Sequence, residues 1–67
     1  METEYYQAVV DIWRLFKNML TDENAFSETW WKKWVTETNR IGMRHPGRFA
    51  IDLICVFTSE LERISRR

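Results

Sequence analysis

The stretch that decides the fold is Trp-Trp-Lys-Lys-Trp-Val at residues 30–35. Trp30 and Trp34 stand four residues apart, so on a helix they lie on one face, and Thr38 and Ile41 continue that line. The two lysines between the tryptophans fall on the opposite side, where a charged side chain stays in water. The spacing predicts an amphipathic helix over residues 25–42 with these four residues along its buried centre.

The start of this helix is open to two interpretations. Thr-Asp-Glu-Asn at residues 21–24 is a cluster of capping and turn residues, and Phe26 then stands near the beginning of the helix. Ser27-Glu28 offers a second start three residues later, since serine is a favoured N-cap. At the other end, Gly42 is suited to a C-terminal cap.

A first helix is predicted over residues 4–20 from an apolar residue at every third or fourth position. This stripe consists of Tyr6, Val9, Trp13, Phe16 and Leu20. Other apolar residues, Ile12 and Met19 among them, widen it over most of the circumference. We therefore expect a mostly enclosed helix that packs on both other elements.

A third helix is predicted over residues 46–65, with Pro46 in its first turn, where a missing N–H costs nothing. Its expected core stripe is Phe49, Ala50, Leu53, Ile54, Phe57, Leu61 and Ile64. Three helices joined by short turns predict an all-α, compact three-helix bundle. A dimer of such bundles is the alternative.

Composition limits the class of protein. The 67 residues, 45% of them hydrophobic, with two Gly and one Pro, describe one small helical domain rather than a disordered chain. The equal numbers of acidic and basic residues argue against a general nucleic-acid-binding protein, because such a protein is expected to be basic. No apolar run is long enough to span a membrane, and the single Cys55 excludes an internal disulfide. We expect a cytoplasmic protein that does not enter a membrane.

Enzymatic chemistry is poorly represented. His45 and Cys55 are the single residues of their types, and no catalytic triad, CxxC or HExxH pattern is present. The acidic cluster at residues 22–24 lacks the remaining ligands of a calcium loop. The sequence predicts no enzyme, no metal site and no cofactor.

Four residues fall beside the core stripes and are candidate partner-binding residues. Trp31 and Val35 form an apolar shoulder on the second helix, and a half-exposed tryptophan is typical of a binding hot spot. On the third helix Ile51, Cys55 and Val56 lie outside the main apolar arc, and Ile51 and Cys55, joined by Thr58, form a second strip. The alternative is that this strip lies within the fold, and the apolar neighbours of Cys55 favour a packed thiol.

Arg40, Arg44 and Arg48, with His45, surround the second turn beside the start of the third helix. Helix N-termini attract anions, so this cluster could meet phosphate or an acidic protein surface. The alternative is a solvated turn whose cations are balanced by Glu37 and Asp52.

Several segments resemble short helical proteins encoded by phages and prophages of Gram-positive bacteria. They are Tyr5-Tyr6, Ile12-Trp13, Leu15-Phe16-Lys17, Phe49-Ala50-Ile51-Asp52-Leu53 and Glu60-Leu61-Glu62-Arg63. The resemblance covers the first and third helices and transfers no functional residue. It implies small proteins that act by stoichiometric binding, including inhibition of bacterial defence nucleases such as CRISPR effectors.

We therefore expect a non-enzymatic protein that binds a larger protein or nucleoprotein, and an anti-CRISPR-like inhibitor is one form of it. One alternative is a helix-turn-helix-like regulator. It is disfavoured because the connection, taken as residues 42–47, is longer than the usual three or four residues and because the third helix displays mainly apolar side chains. The other alternative is a small self-assembling subunit, such as a homodimer.

Overall fold

The structure, a computed structural model, describes residues 2–66, with side chains from Tyr5 onward. These residues form three helices and contain no strand: α1 (Glu2–Leu20), α2 (Glu28–Arg44) and α3 (Arg48–Ser65). Each helix packs on both of the others. The predicted all-α three-helix bundle is confirmed.

The helices run up, down and up. Tyr5 packs its ring against Phe49 near the starts of α1 and α3, with centroids 4.7 Å apart, and Phe16 packs against Phe57 further along both helices, at 4.9 Å. α1 and α3 are therefore parallel neighbours. α2 returns between them, and the bundle measures 37 × 19 × 17 Å.

Two tryptophans of α2 hold the centre of the bundle, as the sequence predicts. Trp30 and Trp34 are buried, and they cluster with Met19 of α1 and Leu61 of α3. Burying an indole would be costly if its N–H lacked an acceptor. Trp34 Nε1 donates to the Thr58 hydroxyl at 2.9 Å, and Trp30 Nε1 donates to the Met19 carbonyl at 2.8 Å.

The later of the two predicted starts of α2 is correct. Ser27 is the N-cap, and its hydroxyl accepts a hydrogen bond from the Trp30 backbone N–H at 3.2 Å. Phe26, the residue before the cap, lies against Trp31, the fourth helical residue, with ring centroids 6.2 Å apart. This pairing is a hydrophobic staple, which fixes the direction in which the chain enters the helix.

The predicted connection between α2 and α3 is wrong at both ends. α2 continues through Gly42 to its last residue, Arg44, and His45 is the C-cap. The helix stops there because the residue before a proline is disfavoured in the helical conformation. Pro46 lies in the connection, and Gly47 is the N-cap of α3 at φ 132°, where glycine is favoured. Only three residues, 45–47, separate the helices.

The predicted core stripe of α1 is wrong at its first three positions, although Phe16 and Leu20 do pack against the core. Tyr6, Val9 and Trp13 are exposed, Tyr6 by 65% and Trp13 by 47%. The buried residues of α1 are instead Ala8, Ile12 and Met19. The apolar arc of α1 is so wide that several stripes satisfy helical spacing, and only the positions of α2 and α3 select one. α1 is not enclosed, since two neighbours cover only part of its circumference.

The core stripe of α3 is confirmed at its centre and corrected at its edges. Ala50 and Leu61 are buried, but Phe49 is partly exposed despite its contact with Tyr5. Thr58 does not join the outer strip, because its hydroxyl accepts from Trp34 and donates to the Ile54 carbonyl at 2.7 Å. Cys55 is exposed, which corrects the expectation of a packed thiol.

Candidate protein interfaces

The two predicted apolar strips border one groove, between α2 and α3. The Trp34–Thr58 hydrogen bond, and Ile54 3.9 Å from where a Gly42 Cβ would lie, show which sides of the helices face each other. Helical spacing from these contacts places Trp31 and Val35 on the α3 side of α2. Likewise it places Ile51 and Cys55 on the α2 side of α3. We call these four residues the α2–α3 face.

Three members of the α2–α3 face are open to solvent. Val35 is 54% exposed and Ile51 53%, and Cys55 is exposed as well. Trp31, by contrast, is half-buried, because its ring packs edge-on against Trp30 at 4.8 Å and also packs against Phe26. The structure thus uses part of Trp31 to hold the start of α2, and Val35 is the more accessible of the two predicted anchors on this helix.

Each arginine of the predicted cationic cluster has an acidic partner within the chain. Arg40 pairs with Glu37 at 3.4 Å, Arg48 with Asp52 at 3.0 Å and Arg44 with Asp11 at 3.2 Å. The alternative predicted for this region, a turn with balanced charges, describes these contacts, and Asp11 is a partner that sequence reasoning missed. Asp11 lies 33 residues from Arg44, so no local spacing signals their contact.

His45 shares the Asp11 carboxylate. Its Nε2 lies 2.7 Å from Asp11 Oδ2, and since a carboxylate only accepts, Nε2 carries the proton and donates. This hydrogen bond, with Arg44 beside it, holds the pKa of Asp11 below its ordinary value of 3.8, although partial burial acts in the opposite direction. The three residues join α1 to the end of α2.

A surface pocket of about 410 Å³ opens beside the same connection. Arg44, His45 and Arg48 line it together with Tyr5 and Phe49. Because the nearby Asp11 and Asp52 carboxylates already engage those cationic groups, the pocket does not collect unbalanced positive charge. The geometry favours a structural role for these charges over an anion site.

A second apolar surface lies along α1 and α3, and of its residues sequence reasoning places only Val56 outside the core stripes. It comprises Tyr6, Val9, Trp13, Phe49 and Val56, and we call it the α1–α3 face. All five are exposed, and Val56 is 63% exposed. The Tyr5–Phe49 and Phe16–Phe57 contacts show that these edges of the two parallel helices adjoin. The signal in the sequence was the excess width of the apolar arc of α1, interpreted there as burial.

Neither face carries a recognisable reaction centre. Within residues 5–66, no group of three or more His, Cys, Asp or Glu side chains is arranged to hold a metal ion. None of the helices in the described part of the chain is both long enough and apolar enough to cross a membrane.

Comparison with protein-family models, with curated proteins and with solved structures finds no match to this chain. The similarity to short phage proteins therefore stays a prediction. What the fold and the two faces define is a class, the small three-helix bundle with apolar side chains displayed on two of its sides.

Proposed function

We propose that this chain is a non-enzymatic interaction protein that binds a larger protein, or the protein part of a nucleoprotein, through the α2–α3 face. The observation that carries the proposal is the exposure of Val35, Ile51 and Cys55 along one groove. Contiguous apolar surface on a small protein is typical of an interaction site.

These exposed residues are not required to complete the core. The core cluster of Met19, Trp30, Trp34 and Leu61, with the apolar residues packed against it, does not include Val35, Ile51 or Cys55. In addition, no buried polar side-chain atom among the described residues lacks a hydrogen-bond partner. A bundle that is already satisfied internally gains little from Val35 and Ile51 at these positions, whereas a partner that covers them gains the free energy of burying apolar area.

The predicted cationic residues are not gathered around this apolar surface: Arg40 and Arg44 line the groove between α1 and α2, with Glu37 and Asp11. The exposed Arg48–Asp52 pair on α3 contributes little to stability. An acidic group of a partner seated on the α2–α3 face would meet Arg48 in exchange for Asp52. Exchange of this kind affects the rate of association and specificity more than the final affinity.

Direct nucleic-acid binding is supported less well. The three-residue connection between α2 and α3 removes one objection to a helix-turn-helix-like pair. However, both edges of α3 expose apolar side chains, Ile51 and Cys55 on one edge and Val56 on the other, and such side chains do not read base edges. Phosphate-dominated binding would weaken steeply with salt, so partner binding that is insensitive to salt excludes this alternative.

The test is affinity capture from the native host with four forms of the full chain: the natural sequence, Val35→Glu, Ile51→Glu and Met43→Glu. Met43 is 83% exposed and lies on the solvent side of α2, away from the groove, so it is a matched control for adding a carboxylate. We expect one protein to be captured stoichiometrically by the natural sequence and by Met43→Glu. Burying an unpaired carboxylate should weaken binding by Val35→Glu and Ile51→Glu at least about tenfold.

Retention of that protein by both groove variants would place its binding site elsewhere. If no protein is captured stoichiometrically by the natural sequence, the proposed function is wrong. Equal loss from all three variants would also contradict a specific α2–α3 interface. Circular dichroism of each variant, with unchanged helical content, separates lost binding from lost folding.

A further inference from the structure

The α1–α3 face is separate from the surface assigned to the larger partner. It lies on the opposite edge of α3, on the side where Phe49 and Phe57 contact α1, whereas the α2–α3 face lies where Thr58 contacts Trp34. We propose that the α1–α3 face binds a second copy of this chain and forms a symmetric homodimer.

The α1–α3 face exposes about as much apolar area as one subunit buries in a stable dimer. The five side chains of the face expose roughly 500 Å² of apolar surface, at ~150–250 Å² for each complete aromatic side chain. A stable dimer buries about 800 Å² per subunit, of which about 65% is apolar in homodimers. The face therefore matches the apolar area that one subunit contributes to a stable dimer.

The charged side chains beside the α1–α3 face are also compatible with a second copy of the chain. Arg48 pairs with Asp52 and Arg63 with Glu60 along α3, so these charged groups are already balanced within one chain. On α1, the Lys17 ammonium lies 5.8 Å from the centre of the Trp13 ring. The charged groups of α3 beside the face are therefore paired within the chain, and Lys17 is a single cation held over an aromatic ring, so charge gives the face little preference for a strongly acidic or strongly basic partner.

The net charge of the chain acts in the same direction. Ten basic and ten acidic residues give a formal net charge of zero at pH 7, so two copies do not repel each other at a distance. In a two-fold dimer the same patch serves both subunits, and a nearly uncharged, aromatic patch on two parallel helices is complementary to itself. The dimer would bring α1 and α3 of each copy against the same helices of the other.

The experiment is sedimentation equilibrium of the full chain over a wide range of concentration. We expect the natural sequence to approach twice the 8.2 kDa mass of the chain. Tyr6→Glu and Val56→Glu, at the most exposed positions of the α1–α3 face, should raise the dimer dissociation constant at least about a hundredfold, because a symmetric interface contains each substitution twice.

Met43→Glu adds the same charge on α2, and Val35→Glu adds it on the α2–α3 face, so both should remain dimeric. The two sets of variants separate the two proposals: Val35→Glu and Ile51→Glu should lose the larger partner and keep the dimer, whereas Tyr6→Glu and Val56→Glu should lose the dimer.

Three results would overturn the homodimer. They are a natural chain that stays at 8.2 kDa at all concentrations, α1–α3 variants that dimerise as well as the natural chain, and a mass that rises beyond two chains without limit. A monomer that co-sediments with vesicles of phosphatidylcholine and phosphatidylglycerol, but not after Tyr6→Glu, would assign the face to a lipid surface instead.

Discussion

At the scale of single residues, the tryptophans of α2 join the helices through their polar as well as their apolar atoms. The Met19 carbonyl lies in the last turn of α1, where backbone acceptors have no partner within the helix. This oxygen accepts from Trp30 Nε1 at 2.8 Å and from the Asp22 backbone N–H at 3.3 Å, so the indole both fills the core and helps to satisfy the end of α1. The Ser27 cap places Trp30 in the first turn of α2, within reach of α1.

Phe26 has an unusual backbone conformation for a bulky residue. Its φ of 70° lies in the left-handed region, which costs an L-residue other than glycine about 1–2 kcal/mol. Its ring packs against Trp30 at 4.9 Å and against Trp31. We infer that this aromatic packing offsets the backbone cost, and that the two contributions can be separated by substitution.

We expect Phe26→Ala to be less stable than Phe26→Gly by about 1 kcal/mol, although alanine is the larger residue. Both variants lose the aromatic packing, but only glycine adopts a φ of 70° without strain. Urea unfolding followed by circular dichroism measures the difference. Ala25→Gly is the control, because Ala25 lacks a positive φ and glycine there should lower stability. Equal stability of the two Phe26 variants would show that the backbone carries no strain.

At the scale of the helices, Gly42 shows how composition misleads the prediction of a boundary. A glycine near the end of a periodic stretch suggests a C-cap, yet α2 continues past it and the His45 N–H bonds to the Ile41 carbonyl at 2.9 Å. A Cβ built at Gly42 would meet only Ile54, at an ordinary contact distance of 3.9 Å. Gly42 is therefore an ordinary helical position that happens to lack a side chain.

Gly42→Ala should therefore stabilise the protein by about 0.5–1 kcal/mol, since alanine loses less backbone entropy in a helix and fits the available space. Gly47→Ala should have the opposite effect, because its φ of 132° strains any other residue even though no atom obstructs a Cβ. Thermal unfolding of the two variants compares them directly. A lower melting temperature for Gly42→Ala than for the natural chain would mean that α3 requires a closer approach there.

At the scale of the whole molecule, Asp11 connects α1 to a part of the chain that is distant in the sequence. It accepts hydrogen bonds from Arg44 and His45, at the point where α2 ends and the chain turns toward α3. The carboxylate therefore ties α1 to the α2–α3 connection, and the side chain of Asp11 is only 19% exposed. The pairs within single helices, such as Arg48–Asp52, lie in solvent and connect no elements.

Asp11→Asn should destabilise the protein at pH 7 by about 1 kcal/mol, because two hydrogen bonds lose their charged acceptor. The folded pKa of Asp11 lies below 3.8, so its contribution is complete well above pH 3.8 and is lost as the pH falls through the folded pKa. The variant and the natural chain should therefore converge in stability at low pH.

Urea unfolding at a series of pH values measures that convergence. Asp52→Asn is the matched control, since the exposed Arg48–Asp52 pair should contribute at most a few tenths of a kcal/mol at any pH. A difference between Asp11→Asn and the natural chain that persists unchanged in acid would show that the carboxylate charge is not responsible.

Much of the fold was predictable from the sequence for a definite physical reason. On α2, lysines and other polar residues occupy most of the side opposite Trp30 and Trp34, so spacing alone identifies Trp30, Trp34, Thr38 and Ile41 as buried. The helix count follows from the three periodic segments. Likewise, helical spacing sets Val35, Ile51 and Cys55 beside the core stripes, although it does not show that they border one groove.

The tertiary structure alone decided which face of α1 is buried, and therefore where the second apolar surface lies. Helical periodicity selects a face only where polar residues exclude the others, and the apolar arc of α1 is too wide for that. The Asp11–His45 contact was equally invisible, because its partners are 34 residues apart. Sequence determines which side chains can be buried together, but the finite coverage that two neighbouring helices give to a third determines which of them remain in water.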